Sequence, residues 1–204
     1  MLNPVPAVMV TVADREGNAN IITIAWAGTI CSSPAMVSIS VRPERYSYHM
    51  LQETGEFVIN LTTQELVRAC DYCGVTSGRT VDKFKETGLT PLPIEGFEVP
   101  GIEESPVNLA CRVVEEKKLG SHSMFLAEVV SVTVDEKYLD EKGKFRINET
   151  GLVCYSHGEY FGLGEKLGSF GYSIRKKPSG RKKPRNLQKN SENKSATVSK
   201  REQK

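Results

Sequence analysis

The segment 20–34 carries the residue types best suited to hold a ligand. It begins as a β-branched run and then becomes small and polar, in the order Ala-Trp-Ala-Gly-Thr-Ile-Cys-Ser-Ser-Pro. The small residues around Gly28 leave a backbone that a flat ring can approach. Thr29, Ser32 and Ser33 offer hydroxyl and amide donors that suit an anion. The segment therefore favours a planar ligand with a phosphate, although a buried strand with a glycine kink and a Ser-Pro turn produces the same pattern.

Two further groups of residues offer polar chemistry. Arg42, Arg45 and Ser47 follow an alternating strand and together suit a phosphate, with the arginines as bidentate donors. His122 stands at the start of a predicted strand just past Gly120, where the end of a hairpin can present a side chain to a cleft. No Ser/His/Asp motif accompanies it. These residues indicate anion binding without a protein nucleophile.

The cysteines do not form a recognisable metal or disulfide pattern. Cys70 and Cys73 form a C-x-x-C pair, but no second pair and no histidine pair follows at zinc spacing. We predict structural thiols on a helix, with redox activity as the alternative, and no metal site. The five cysteines are odd in number and irregularly spaced, so we expect reduced thiols. The glycines of segment 162–168 are spaced one residue too widely for a dinucleotide loop.

Short elements must position these residues. Hydrophobic alternation predicts strands at 8–12, 20–29, 36–41, 57–61, 108–118, 121–135 and 152–156. Short helices are expected at about 44–53, from Thr62 through Cys73 behind a Thr62/Glu65 capping box, and from Thr80 to about 88. Segment 89–106 is expected to wrap as a loop, and segment 158–173 to be irregular. Many antiparallel strands with short inserted helices predict a mainly β fold, a small closed or split barrel.

Charge divides the chain into two parts. Residues 175–204 carry 12 Lys or Arg against 2 Asp or Glu, whereas residues 1–174 carry 15 against 23. The overall charge of +2 therefore combines a body at −8 with a tail at +10. We predict one domain over 1–174 and a disordered tail over 175–204, because the tail has few apolar residues to bury. A basic tail can hold nucleic acid, an anionic membrane surface, an acidic partner or the chain's own acidic body, although a solvated appendage is the commoner case.

Targeting signals are not evident in the sequence. No apolar run approaches the length of a membrane span. The N-terminus has neither the basic start nor the long apolar core of a signal peptide. We therefore expect a cytoplasmic protein without a membrane partner.

Several motifs occur along residues 3–174 in a characteristic order. They are Asn3-Pro, the strand 20–29, Ser33-Pro34, Arg45-Tyr-Ser47, Gly55-Glu-Phe-Val-Ile-Asn60, Ser77-Gly-Arg-Thr-Val-Asp-Lys-Phe84, Gly120-Ser-His122, Phe125-Leu-Ala-Glu-Val129, Leu163-Gly and Gly168-Ser-Phe-Gly-Tyr-Ser173. This combination resembles the flavin reductase-like family of FMN-binding split barrels, in particular its flavoredoxin and ferric-reductase branch. The resemblance implies a Greek-key antiparallel barrel with short inserted helices, and a homodimer that holds FMN near the subunit interface.

The resemblance also implies roles for particular residues. The isoalloxazine ring is expected against the backbone of Trp26, Ala27, Gly28 and Thr29, and the FMN tail at Cys31, Ser32 and Ser33. The phosphate is expected at Ser47 and Arg45, with Arg79 and Lys83 as a basic patch near the phosphates of cofactor or nucleotide. Asn60 is expected beside the site, and His122 as the catalytic residue that faces flavin and nicotinamide. Some relatives carry Lys where Ser33 stands, so phosphate affinity is expected to depend more on the arginines here.

The function implied is an FMN-dependent oxidoreductase that passes electrons from NAD(P)H to flavin, ferric iron or another acceptor. One alternative is a flavoredoxin-like FMN electron carrier that a redox protein supplies with electrons. A second alternative is a nucleic-acid-binding protein that acts through the basic tail, which has no counterpart in the family pattern.

Overall fold

The structure is a computed structural model that describes residues 2–175. Its strands are β1 (Val5–Pro6), β2 (Val8–Ala13), β3 (Ala19–Ile24), β4 (Ala27–Ser32), β5 (Ala35–Val41), β6 (Glu56–Leu61), β7 (Pro91–Leu92), β8 (Gly101–Ile102), β9 (Val107–Lys118), β10 (Ser123–Val134), β11 (Val153–Ser156) and β12 (Glu159–Gly162). Its helices are α1 (Ser47–Thr54), α2 (Val67–Val75) and α3 (Lys83–Thr87), with short 3-10 turns at Glu136–Tyr138, Ile147–Glu149 and Tyr172–Ile174. Within the described residues, no helix is long and apolar enough to cross a membrane.

Seven strands form one antiparallel sheet in the order β3-β2-β6-β9-β10-β5-β4. The chain passes from β3, at one edge of this sheet, to β4, at the other edge, through only Ala25 and Trp26. The two edges must therefore lie close together at this point. Ser40 N donates a hydrogen bond to Trp26 O at 2.9 Å, which extends the pairing of β4 with β5 by one residue. The sheet curls into a barrel that is split between β3 and β5. This confirms the prediction of a mainly β split barrel.

Alternation along the strands fills the barrel. Val8, Val10 and Val12 of β2 point into the interior, where they join apolar residues of β3, β5, β6, β9 and β10. Helix α1 covers the same cluster with Tyr48, Met50 and Leu51. The helix ends at Gly55, whose φ of 66° lies in the left-handed region that glycine adopts readily.

The opposite face of β2 and β3 packs against α2 and α3. Met9 and Ile21 lie in this second cluster with the buried thiols of Cys70 and Cys73. Asp82 caps α3, because its side chain accepts a hydrogen bond from Lys85 N at 3.2 Å. The two short helices therefore attach to the outside of the barrel beside β3.

Three local predictions are wrong. The strand expected over 20–29 is broken by the bend at Ala25 and Trp26, where the chain changes from one sheet edge to the other. The capping box does not start α2 at Thr62, because Val153 N bonds to Thr62 O and the helix begins only at Val67. Strand β12 lies in the segment expected to be irregular, and pairs with β11 in a small sheet of order β1-β11-β12.

The chain divides into two compact units, Met1–Gly164 and Glu165–Lys204. In the second unit the structure describes residues 165–175, which contain the turn at Tyr172–Ile174. The predicted tail lies outside the described residues except for Arg175.

Candidate functional site

Two adjoining cavities open along the split between β3 and β5. The first, here the basic pocket, has a volume of about 250 Å³, and the second, here the aromatic pocket, about 150 Å³. Ile22, Arg42 and Arg45 line both, so the two are adjacent, and together they are here called the cleft. The cleft therefore has the dimensions of a small-molecule site.

The basic pocket lies between β3, the start of α1, the end of α2 and the start of α3. Its lining residues are Asn20, Ile22, Arg42, Glu44, Arg45, Tyr46, Ser47, Cys73, Gly74, Thr76, Ser77, Gly78 and Lys83. One of the cations is partly neutralised, because Arg42 Nη1 lies 3.1 Å from Glu44 Oε1. Arg45 and Lys83 form no ion pair within the described residues. The pocket therefore keeps a net positive charge that suits an anion.

Lys83 is buried and rigidly held at the back of this pocket. Its Nζ donates hydrogen bonds of 2.7 Å to Ile21 O and to Cys73 O. An ammonium has three N–H donors, so one remains for a ligand. Burial lowers the pKa of Lys83 from its ordinary value, and the positive charge of Arg45 acts in the same direction. An anion in the pocket would offset the free-energy cost of burying this positive charge.

Ser47 is the first residue of α1 and is almost completely buried. Asn20 Nδ2 donates to Ser47 Oγ at 2.8 Å, which leaves the hydroxyl hydrogen of Ser47 to donate elsewhere. No side chain caps α1, and no acidic residue lies in its first turn. The positive end of the helix dipole therefore adds to the charge of Arg45 and Lys83.

Gly78 forms part of the wall of the basic pocket, at a point where the chain packs closely. A Cβ on Gly78 would lie 2.4 Å from Asn20 Oδ1 and 2.6 Å from Tyr46 Cδ1, which is too close for any side chain. The loop can pack there only because residue 78 is glycine. Sequence reasoning missed Asn20 and Gly78 as pocket residues, because their importance lies in contacts between distant parts of the chain.

The aromatic pocket contains a pair of rings. The centroids of Trp26 and His122 lie 4.5 Å apart, with the planes tilted by 42°. His122 Nδ1 also lies 2.9 Å from Ser121 Oγ, and the Trp26 side chain is 45% exposed. A flat ligand therefore has an aromatic wall and an imidazole within one cavity.

Strand β4 continues from Trp26 along the open edge of the sheet. Among the strands that the structure describes it pairs with β5 alone, and no residue from Ala27 to Ser32 is buried. A Cβ on Gly28 would meet no atom of residues 2–175 within 4 Å, so packing among these residues does not require glycine there. The open space beside Gly28 fits a planar group that approaches from outside the chain. A register shift between Thr29 and Cys31 turns the strand beyond this point.

The structure brings some of the predicted site residues together. Arg45, Ser47 and Lys83 line the basic pocket, and Trp26, His122 and again Arg45 line the aromatic pocket. The remaining predicted residues lie outside these linings. They are Ala27, Gly28, Thr29, Cys31 and Ser32 along β4, Ser33 in the following turn, the exposed Arg79 after Gly78, and Asn60.

Asn60 lies in the core and is absent from the linings of both pockets. It is fully buried on β6, and its Nδ2 donates to Met9 O at 2.9 Å. Its Oδ1 accepts a hydrogen bond from Ile102 N at 2.9 Å, which anchors the loop that contains β8. Asn108, its cross-strand neighbour, bonds to the same N–H at 3.1 Å. Asn60 therefore fixes a loop, and its amide is engaged by backbone.

The C-x-x-C pair is buried beside the cleft. Burial raises the pKa of both thiols, and that of Cys73 reaches about 11. Both thiols are therefore protonated at neutral pH and poorly nucleophilic. This agrees with the prediction of structural thiols on a helix.

Comparison with known proteins identifies the family. A model of the flavin reductase like domain matches residues 1–164. The chain belongs to the flavin reductase-like family. It is similar to the flavoredoxin of Desulfovibrio vulgaris (Miyazaki F), with 33% identity, a TM-score of 0.80, and coverage of 86% of this chain and 95% of that one.

Two further proteins show the breadth of this family. An FMN-binding protein from Thermus thermophilus is 25% identical, with a TM-score of 0.70 over 82% of this chain and 90% of that one. An uncharacterized protein of Archaeoglobus fulgidus is 32% identical over 142 residues, which cover 70% of this chain and 79% of the other. The family binds flavin, and the residues of the cleft fit such a ligand: cations for a phosphate, and an aromatic wall and an open strand for a ring.

Proposed function

We propose that this chain is an FMN-dependent oxidoreductase that takes electrons from NAD(P)H and passes them to flavin, ferric iron or another small acceptor. The observation that carries the proposal is that the basic pocket and the aromatic pocket are adjacent, with Arg45 in the lining of both. A ligand with a phosphate at one end and a flat ring at the other matches this arrangement. The similar protein from Thermus thermophilus is named for FMN binding.

Each part of the cleft has a distinct role in the proposal. Arg45, Ser47 and Lys83 bind the phosphate, and the open backbone near Gly28 receives the ring. His122 and Trp26 border the face where a donor would approach. When bound, the flavin supplies hydride and electron transfer, so no protein nucleophile is needed. The predicted homodimer would bring a second copy against the exposed strand β4.

The first test is spectroscopic. Purified protein, reconstituted with FMN, should show the two flavin absorbance bands, and these should bleach when NADH or NADPH is added without oxygen. Arg45→Gln should weaken FMN binding about 10- to 100-fold, because a charge-assisted hydrogen bond contributes about 1.5–3 kcal/mol. The matched control is Arg146→Gln, which removes an exposed arginine that pairs with Glu149. Absence of flavin bands after added FMN would contradict the proposal.

A second candidate is an electron carrier that a protein donor reduces. The likeness to a flavoredoxin at 33% identity favours it. Bleaching by a reduced redox protein, with slow or no bleaching by NADH and NADPH, would favour the carrier over the reductase.

A further inference from the structure

The position of His122 in the cleft depends on the start of strand β10. His122 comes directly before Ser123, the first residue of this strand. The cross-strand neighbours of Ser123 are Val41 and Lys118, the last residues of β5 and β9, so three strands end at this point. Strand ends open at a low cost in free energy. The imidazole therefore stays on Trp26 only while Ser123 is held in place.

The hydrogen bonds that His122 makes itself are local to the hairpin between β9 and β10. Leu119 N donates to His122 O at 2.8 Å, and His122 Nδ1 lies 2.9 Å from Ser121 Oγ. Both partners belong to the same hairpin end, so these bonds move with it. Any side-chain attachment of this end to the barrel must come from another residue.

Tyr48 of α1 supplies such an attachment. Its side chain is buried, its ring packs edge-on against Phe125 of β10 with centroids 5.6 Å apart, and its hydroxyl lies 2.8 Å from the buried Ser123 Oγ. The same hydroxyl bonds to Glu116 of β9, whose other carboxylate oxygen accepts a hydrogen bond from Gln52 Nε2 at 2.9 Å. One hydroxyl of α1 therefore contacts both strands of the hairpin.

The protonation states of these groups set the direction of their hydrogen bonds. Burial, and after it the bond to Glu116, raises the pKa of Tyr48, and the bond from Tyr48 is the main cause that lowers the pKa of Glu116. At neutral pH Tyr48 is therefore protonated and Glu116 is ionised. The single Tyr48 O–H donates to the carboxylate, since charge-assisted bonds are the stronger ones, and the Tyr48 oxygen accepts from the Ser123 hydroxyl. Removal of the Tyr48 hydroxyl breaks both bonds together.

We propose that Tyr48 is a positioning residue: it fixes the start of β10 and so holds His122 against Trp26, where the electron donor would approach. The inference rests on the proposed function. Tyr48 lines neither pocket, so it acts through Ser123 and His122 and not on the ligand. It directly follows Ser47, which lines the basic pocket. The start of α1 therefore serves both halves of the cleft.

A simpler role for this network is to pair polar groups that the fold buries. Tyr160 offers a matched control, because its hydroxyl also donates to a carboxylate, at 3.1 Å to Asp71 Oδ1. Tyr160 lies on β12, in the small sheet, and lines neither pocket. If Tyr48 has only a structural role, Tyr48→Phe and Tyr160→Phe should both leave the surroundings of the His122 ring unchanged.

The first measurement is the proton NMR spectrum of the full-length apoprotein at a fixed alkaline pH. The chain has three histidines and one tryptophan, and the ring current of Trp26 should displace the ring protons of His122. His122→Gln assigns these protons, and Trp26→Leu gives their undisplaced position. Tyr48→Phe should remove more than half of the displacement, whereas Tyr160→Phe should preserve it.

A second variant tests the same contact from its other side. Ser123→Ala should act like Tyr48→Phe on the His122 protons. The double variant should add little to either single change, because the two side chains share one hydrogen bond and are not independent.

The second measurement uses FMN-loaded protein without oxygen. Stopped-flow bleaching is followed with NADH or NADPH, whichever reduces the unaltered protein faster. Tyr48→Phe should slow it roughly 10-fold, since a small misplacement of a group at a reacting centre costs up to about 10²-fold. FMN affinity should stay within about twofold, because Tyr48 lines neither pocket. Tyr160→Phe should leave both quantities unchanged.

Two results would overturn the inference alone. One is a displacement of the His122 protons that Tyr48→Phe preserves or that Tyr160→Phe reduces equally. The other is a lost displacement with an unchanged rate of bleaching. Protein that binds no flavin, or that neither nucleotide reduces, would instead refute the proposed function, and the spectra of the apoprotein would still show whether Tyr48 holds His122.

Discussion

Lys83→Met tests the basic pocket most directly. Methionine keeps an unbranched chain in the buried position but removes the ammonium that we propose binds the phosphate. Loss of one charge-assisted hydrogen bond to a phosphate costs about 1.5–3 kcal/mol, which corresponds to about 10- to 100-fold in Kd. Riboflavin lacks the phosphate, so its affinity should change much less. The variant also leaves Ile21 O and Cys73 O without this donor, at about 1–3 kcal/mol of folding stability for each.

The assay is a pair of titrations. Apoprotein is titrated with FMN and with riboflavin, and binding is followed by the change in flavin fluorescence. Lys85→Met, on the exposed side of α3, removes the same charge without touching the pocket and serves as the control. If Lys83→Met weakens FMN and riboflavin equally, or leaves FMN affinity unchanged, the assignment of Lys83 to the phosphate is wrong.

Because Lys83 is buried, we expect both FMN affinity and folding stability to depend on pH. Burial lowers the pKa of Lys83 below the ordinary lysine value of 10.5. FMN affinity should therefore fall as pH rises through this lowered pKa, because the ammonium loses its charge, and Lys83→Met should remove this fall. The folding stability of the apoprotein should instead increase as the pH rises. Between the folded and unfolded pKa values the unfolded chain binds more protons, so the free energy of unfolding rises with pH.

Three further substitutions test other parts of the site. Gly28→Val should abolish flavin absorbance while leaving the thermal midpoint nearly unchanged, because the chain itself leaves room for the side chain; a yellow variant would contradict the placement of the ring. Gly78→Ala should force Asn20 and Tyr46 to shift, at about 1–3 kcal/mol, and weaken FMN more than riboflavin; equal weakening would point to general unfolding. Asn60→Leu should lower the free energy of unfolding in urea by about 1–3 kcal/mol with no change in FMN affinity, and a selective loss of FMN affinity would show that Asn60 acts in the site.

Local patterns predicted most of the fold. Alternation identified the strands of the large sheet except β4, which the sequence merged with β3, and Gly55 and Gly88 ended helices where expected, since both adopt positive φ. The break at Trp26 was not predictable, because apolar and small residues continue through it. Its cause is the closure of the barrel, which requires the chain to move from one sheet edge to the other.

The candidate site was predictable only in part, and for a related reason. Arg45 and Ser47 are close in sequence and suit a phosphate by residue type. Asn20 and Gly78 contribute through contacts with residues far away along the chain, which no local pattern records. A role for Asn60 in the site stays a prediction, because a buried asparagine that anchors a loop and one that binds a ligand look the same in a sequence.

The bare strand β4 has a consequence for how firmly the protein keeps its flavin. If the ring and a second copy both rest on this strand, the two associations are thermodynamically linked, and each raises the apparent affinity of the other. Retention of the cofactor then depends on protein concentration. Dilute preparations should therefore lose their flavin colour sooner than concentrated ones. In the cell, the concentration of the protein would set the fraction of it that holds flavin.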